Sequence, residues 1–295
     1  MSNKGICILN AYSILPGAKH FYDRMKEEFS ALSISLEKAT NAEIFTYLNS
    51  EGDLTGKKLD ADFILYLDKD LYASYGLEKR GYRLFNQARP VELCDDKMRT
   101  HMALADHGIK MPKTISGPLN YSLNSSPEFV ENVEKELSYP IVAKENFGSL
   151  GARVYLLDNH QSLVEFEDLH RFAPRLYQEF IASSKGMDYR IIVVGGKFVT
   201  GMKRINLHGD FRSNVALGGI GQAVKIPAEF IQTAEKAASI LGLDYCGVDV
   251  LIGPKGEPIL CEVNSNAFIE GIEKVTGTNV AKAYAEYIQK TIDRI

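Results

Sequence analysis

The stretch GVDVLIGPKGEPILCEVN, residues 247–264, constrains the fold of this chain more than any other. Two apolar runs flank Gly253-Pro254-Lys255-Gly256, a turn-forming sequence, so the segment reads as two buried strands closed into an antiparallel hairpin. A four-residue turn pairs Ile252 with Glu257 and sets Asp249 opposite Leu260. Side chains alternate across a strand, so Glu262 and Asn264 share a face. This register brings Asp249 onto the same face, diagonal to Glu262. Two carboxylates and an amide carbonyl on one patch of sheet form a hard oxygen donor set, suited to Mg²⁺ held jointly with a substrate phosphate. A hairpin with a solvated polar face has the same pattern, so the phosphate must be sought elsewhere in the chain.

At 295 residues the chain can build two or three packed units. Its 45% hydrophobic and 24% charged content is ordinary for a globular protein. A net charge of −4 argues against broad binding of nucleic acid or anionic membranes. No apolar run approaches a membrane span, and the opening MSNKGICILN lacks a signal-peptide layout. Cys7, Cys94, Cys246 and Cys261 are scattered without a C-x-x-C pair, the usage expected of reduced cysteines in the cytoplasm. The six histidines show no ligand spacing, which argues against zinc and histidine catalysis.

The pattern of elements predicts an α/β (α+β) chain. GICIL (5–9) and ADFILYLD (61–68) read as buried strands. Between them, Phe21, Met25, Phe29 and Leu32 mark one face of a helix over 17–32. This opening predicts a small parallel α/β domain to about residue 92. Residues 95–108 read as a helix capped by Asp95 or Asp96 and ended by Gly108, and 120–129 as a polar connector. The middle is strand-rich, with strands expected at 140–145, 153–157 and 176–181. A hairpin follows over 188–205, whose Gly195-Gly196 turn needs positive φ. Helices are predicted at 227–242 and at the carboxyl end.

Three stretches could meet an anion. In AKENFGSLGARV, Lys144 and Arg153 flank a loop where Gly148 and Gly151 let backbone N–H groups turn toward a phosphate; an ordinary turn also fits, and the P-loop pattern is missing. In YQEFIASSKGMDYR, a strand running into a loop can offer backbone groups to an adenine edge, flanked by Phe180 and Ile181, with Asp188 in reach of a ribose hydroxyl; Asp188 as a plain turn residue is the alternative. In MKRINLHGDFRSNVALGGIGQAV, the cations Lys203, Arg204 and Arg212 are followed by Ser213, Asn214 and a flexible run from Gly218 to Gly221. That loop suits a transferring phosphoryl group or a substrate carboxylate, and also fits a solvated basic loop.

Taken in order, these motifs with GDFRSN, GVDVL, EVN and EGIEKVTGTNVA resemble the ATP-grasp superfamily, and within it the RimK-type α-L-glutamate ligases, from about Asp95 to Val280. The resemblance implies a pre-ATP-grasp α/β domain (1–92), a central subdomain with a glycine-loop lid (93–181) and a carboxyl-terminal subdomain with the metal site (182–295), the last two clamping ATP. It implies that Lys97 and Lys144 hold the α- and β-phosphates, with Gly148 and Gly151 in the lid. Glu179, Phe180 and Ile181 form the adenine hinge and Asp188 binds the ribose. Arg204, Arg212, Ser213 and Asn214 contact the phosphates or the reacting carboxylate. Asp249, Glu262 and Asn264 hold two Mg²⁺ (or Mn²⁺) ions. Catalysis falls to Arg212, Lys144 and Asn264. The implied activity is ATP-dependent amide or peptide bond formation through an acyl phosphate. The amino acid added is glutamate, the acceptor a carboxylate or amine such as a peptide or protein tail, and the enzyme a homo-oligomer. A ligase for other amino acids, a small-molecule kinase and a non-catalytic ATP-binding regulator share parts of this pattern. The chain departs from the family in SNAFIEGIE, where Pro-Gly usually follows the E-V-N asparagine, and in the KENFGSLG form of the lid.

Overall fold

A computed structural model describes residues 3–13, 16–122, 126–214 and 218–293. The apolar run of β1 (Lys4–Leu9) is buried at its centre, as a strand covered on both faces must be. It pairs in parallel with β2 (Ser35–Thr40) and β5 (Phe63–Tyr66), and β6 (Leu84–Phe85) completes a parallel sheet of order β2-β1-β5-β6. Helix α1 (Pro16–Ala31) lays Phe21, Met25 and Phe29 on this sheet, as their spacing predicts, and Leu32 packs beside them just past the helix end. A short hairpin, β3 (Thr46–Leu48) and β4 (Leu54–Gly56), and helix α2 (Leu71–Lys79) decorate this part of the chain.

The predicted helix over 95–108 is instead two helices, α3 (Ala88–Asp95) and α4 (Lys97–Leu104). The break is Asp96, extended at φ −93° and ψ 109°, whose carboxylate accepts from the Met98 and Arg99 amides and caps α4. The helix stops before Gly108 because the chain turns extended at Ala105 (φ −60°, ψ 149°) and left-handed at Asp106 (φ 63°).

The central sheet is antiparallel, in the order β7 (Thr114–Ser116), β10 (Arg175–Glu179), β8 (Ile141–Glu145), β9 (Val154–Leu157). Helices α5 (Pro127–Glu136) and α6 (His160–His170) cover one face through Val130, Val133, Leu163 and Phe166. The predicted connector over 120–129 thus runs into a helix at Pro127; its residues 123–125 lie outside the described residues. The predicted strand over 176–181 ends at Glu179, so Phe180 and Ile181 lie in irregular chain.

The third sheet has the order β13 (Gly219–Ala223), β12 (Lys197–Asn206), β11 (Met187–Val194), β14 (Tyr245–Ile252), β15 (Pro258–Asn264). Gly195 and Gly196 take the positive φ that the turn requires. Helix α7 (Ala228–Leu241) packs on one face, with Leu104 of α4 in the same core; α8 (Glu270–Thr276) and α9 (Val280–Ile292) follow. The glycine run predicted to be flexible is edge strand β13 from Gly219 onward, while residues 215–217 lie outside the described residues. Its glycines serve close packing. A Cβ at Gly219 would sit 2.1 Å from the Ser213 carbonyl, and one at Gly221 2.8 Å from Met202 Sδ.

The decisive hairpin closes in a different register from the predicted one. Gly253 N–H donates to the Glu257 carbonyl at 2.7 Å, so the loop is Pro254-Lys255-Gly256, with Gly256 at φ 83°. Ile252 therefore pairs with Pro258, not Glu257, and Val250 with Leu260. Continued unbroken, this register would set Asp249 opposite Cys261 and turn Glu262 to the other face. A β-bulge at Cys261 absorbs one residue, and Asp249 lies directly opposite Glu262 rather than diagonal to it. The shared face is preserved, with Gly247 opposite Asn264.

Candidate functional site

The central sheet and the third sheet enclose a cleft of about 890 Å³. Lys144, near the end of β8, and Lys97, at the first position of α4, both line it and are about nine-tenths buried. The Lys97 ammonium lies 2.9 Å from the Gly148 carbonyl, 3.3 Å from that of Asn146 and 3.9 Å from Glu262 Oε1. Burial lowers its pKa, Glu262 opposes this, and Lys144 adds to it. A cation at a helix N-terminus also opposes the helix dipole. The Lys144 ammonium reaches Cys261 Sγ at 3.9 Å and has no carboxylate partner among the described residues. Two poorly compensated ammonium groups on one cleft floor can attract an anion.

The carboxylate patch faces them. Asp188, Arg190, Arg204, Asp249 and Glu262 share one face of the third sheet through the cross-strand pairs Asp188–Arg204, Arg190–Asp249 and Asp249–Glu262. Arg190 holds both Asp249 oxygens, with Nη2 donating to Oδ2 at 2.8 Å. Arg204 bridges the two aspartates, donating through Nε to Asp188 Oδ1 at 2.8 Å and lying 3.0 Å from Asp249 Oδ2. Burial would raise the Asp249 carboxyl; Arg190 and then Arg204 override it and hold it below the usual range. The same aspartates outweigh burial of Arg204 and raise its pKa.

The donor set fits a divalent ion in kind, since Asp249, Glu262 and the Asn264 carbonyl offer only oxygen. Asn264 Nδ2 is buried without a hydrogen-bond partner among the described residues. Asn264 does not line the cleft itself. Among the described residues no three His, Cys, Asp or Glu side chains converge as a ready metal cage. An ion here would need phosphate oxygens and water to complete its shell, the habit of Mg²⁺.

The lid loop between β8 and β9 closes over the cleft. Gly148 (φ 137°), Leu150 (φ 61°) and Gly151 (φ 75°) take left-handed conformations. Arg212 Nη1 donates to the Gly151 carbonyl at 2.8 Å and to that of Val154 at 3.4 Å. Its other nitrogens grip Asp210 at 3.0 and 2.7 Å, and this pairing raises its pKa. Arg212 thus ties the third sheet to the lid. From the first sheet, Lys69 Nζ reaches Ser149 Oγ at 3.4 Å.

Besides Lys97 and Lys144, the cleft lining includes Gly148, Gly151, Glu179, Phe180, Ile181, Asp188, Arg204, Arg212, Ser213, Asn214, Asp249 and Glu262. The Glu179 side chain accepts from the Lys113 amide at 2.9 Å, which fixes the strand end that leads into Phe180 and Ile181. Lys203 alternates to the opposite face from Arg204 and does not line the cleft. Sequence reasoning missed Arg190, Asp210 and Gln178. Arg190 stands two residues after Asp188 in a strand, so period-two alternation already set it on the carboxylate face.

Comparison with known proteins identifies the family. A family model described as the RimK-like ATP-grasp domain matches residues 94–288. The human β-citrylglutamate synthase B is 33% identical over 75% of this chain and 56% of its own length. The chain thus spans little more than half of that relative. A probable α-L-glutamate ligase of Vibrio atlanticus is 38% identical over 72% of this chain and 69% of its own. The crystal structure of a RimK domain ATP-grasp protein from Sphaerobacter thermophilus superposes with a TM-score of 0.71 at 19% identity, covering 96% of this chain and 98% of that one. By the family model and by this relative, the chain belongs to the RimK-like ATP-grasp family.

Proposed function

We propose that the chain is an ATP-dependent carboxylate–amine ligase that forms an amide or peptide bond through an acyl phosphate, with glutamate as the amino acid joined. One observation carries this reading: Lys97 and Lys144 face Asp249 and Glu262 across one cleft, cations and oxygen donors together under a closable lid. Glutamate is supported by the name of the Vibrio relative. The acceptor is a carboxylate or amine, such as a peptide tail. Asp249, Glu262 and Asn264 would hold two ions, Mg²⁺ or Mn²⁺, which would supply neutralisation of phosphate charge. The chain would work as units 1–92, 93–181 and 182–295, each with its own sheet, in a cytoplasmic homo-oligomer.

In this mechanism Lys97 and Lys144 hold the phosphates, and the segment Glu179–Ile181 takes the adenine edge. Asp188 turns to the ribose, and Ser213 and Asn214 face the phosphoryl end. The substrate carboxylate is a poor electrophile and must approach an anionic γ-phosphate. Arg212 presents a forked cation to both, and Arg204 adds charge behind it. Attack of the carboxylate oxygen on the γ-phosphorus releases ADP and leaves an acyl phosphate; the amine then attacks its carbonyl carbon, expels inorganic phosphate and sheds a proton, leaving the amide. The lid keeps water from that intermediate. Hydroxylamine traps acyl phosphates as hydroxamates and leaves phosphate esters untouched. With ATP, Mg²⁺, hydroxylamine and a panel of carboxylates headed by glutamate and glutamate-ended peptides, the expected outcome is ADP release matched by hydroxamate. ADP release without hydroxamate across the panel would overturn the ligase reading in favour of a kinase.

A further inference from the structure

The lid is held from behind as well as from the cleft. Its root lies in KENFGSLG, where Glu145 is the last residue of β8; Arg153 is the residue before β9. Lys144 and Glu145 alternate, so Lys144 lines the cleft while Glu145 shares the face that Ile141 and Ala143 give to the apolar core under α5 and α6. Glu145 is buried there. Its Oε1 lies 2.9 Å from Nδ1 of His170, the last residue of α6, and its Oε2 is ion-paired with Arg153 Nη1. Burial would raise the Glu145 carboxyl; Arg153 and then His170 override it and hold it below the usual range. The His170 ring is itself fixed, stacked on Phe166 with centroids 4.4 Å apart and 5.0 Å from the Tyr155 ring of β9. At the same level the Glu145 N–H donates to the Arg153 carbonyl at 3.2 Å, and the Asn146 N–H to that of Pro174 at 2.8 Å. Drawn toward Glu145, Arg153 lays its stem along the lid: a Cβ at Gly148 would sit 3.3 Å from Arg153 Cδ. A leucine in place of Glu145 would extend the apolar core with no charge to bury, so this carboxylate supplies geometry rather than stability.

We propose that Glu145 is a positioning residue of the lid: fastened to α6 through His170, it holds Arg153 and so keeps the lid seated over the bound nucleotide. The clamp acts from the far side of the sheet and touches no substrate. Its consequence is chemical. With the lid unseated, water attacks the carbonyl carbon of the acyl phosphate, expels inorganic phosphate, sheds a proton and returns the carboxylate, so ATP is spent without an amide. This deepens the proposed function and rests on its reading of the cleft as a nucleotide site where an acyl phosphate forms.

The test compares wild type with Glu145→Leu and His170→Leu, since neither residue lines the cleft. Two quantities are read: the rate at which a fluorescent ADP leaves the protein in Mg²⁺, by stopped flow, and hydroxamate formed per ADP released, at the lowest hydroxylamine that traps all the acyl phosphate in wild type. In both variants ADP is expected to leave about 10-fold faster, the scale of one lost charge-assisted hydrogen bond, and hydroxamate per ADP to fall. Glu145→Gln keeps an acceptor and His170→Asn keeps a donor near the place of Nδ1, so each should recover most of both. A role in folding alone would lower the unfolding temperature and leave both readouts of the folded protein at wild-type values. If Glu145→Leu does not fold, His170→Leu decides by the same readouts. Wild-type values in the folded leucine variants would overturn the inference and leave the ligase reading standing. Faster ADP release in the variants with no hydroxamate from any protein, wild type included, would keep the clamp and overturn the ligase reading.

Discussion

Lys97 occupies a place that stability alone would not give to a lysine. It begins a helix, it is buried, and the one carboxylate within ion-pair distance among the described residues, Glu262, is 3.9 Å away. Its folded pKa therefore lies below the usual 10.5, by burial first. Between the folded and the usual value the unfolded chain binds more protons, so wild-type stability rises with pH across that window. Lys97→Met should thus be at least as stable as wild type at pH 7 without nucleotide, and its advantage should shrink as pH rises toward 10.5. The same change should weaken nucleotide binding about 10-fold or more, since a charge-assisted bond is lost. Thermal unfolding across pH, with calorimetry on ADP, checks both; a variant clearly less stable at pH 7 would refute the assignment of cost. Lys97, Lys144 and the carboxylate patch were legible as residue types in order. The face of Arg190 followed from its alternation with Asp188, but its grip on Asp249 was not legible, because the strand across the sheet is set by tertiary pairing.

The lid and the hairpin differ in how much of each the sequence discloses. The glycines of NFGSLG announce a loop, and the left-handed values at Gly148 and Gly151 bear that out. That Arg212, sixty residues on, fastens this loop through the Gly151 carbonyl is a tertiary fact with no local signal. In the hairpin, alternation disclosed the shared face of Asp249, Glu262 and Asn264. The register escaped it, because loop length and the Cys261 bulge each shift pairing by one residue in the same direction, and the two-residue total moves Asp249 from Leu260 to Glu262 while keeping the face. Edge strand β13 was hidden by its glycines, which read as flexibility and serve contact with Ser213 and Met202. Arg212→Lys keeps the charge and loses the planar fork. It should bind ADP within about threefold of wild type, yet lose roughly 10²–10³ in hydroxamate formation, the usual loss for a group that stabilises transferring charge. Because the tie to Gly151 also goes, limited proteolysis within 147–152 should quicken. Equal hydroxamate from both proteins would remove Arg212 from the centre of the chemistry.

At the scale of the whole molecule, the family match begins at residue 94, which invites the idea that the first ninety residues are an optional addition. The packing argues otherwise. Phe21, Met25 and Phe29 of α1 share one core with Tyr245 of β14 and with Val280, Tyr284 and Ile288 of α9. Phe21 meets Tyr245 with ring centroids 5.3 Å apart, and Arg83 joins Tyr287 on the buried Asp244. Asn86 closes the junction, its amide nitrogen donating to the Tyr245 and Ser265 carbonyls at 2.8 Å. Removing residues 1–92 would therefore bare the apolar face of α9 and strand two buried carbonyls, at the start of β14 and just past the end of β15. Fully burying a large apolar side chain is worth about 1.5–3 kcal/mol, and several would be exposed at once, against a typical total stability of about 5–15 kcal/mol. A chain of residues 93–295 is expected to be aggregated or partly unfolded, to bind a hydrophobic dye, and to lose nucleotide binding although every proposed phosphate and metal residue is present. Size-exclusion chromatography, dye fluorescence and ADP titration of that fragment would decide it. A monomeric fragment with native-like unfolding and wild-type ADP affinity would show that the first sheet contributes nothing to the stability of the cleft, and would confine its role to the second substrate.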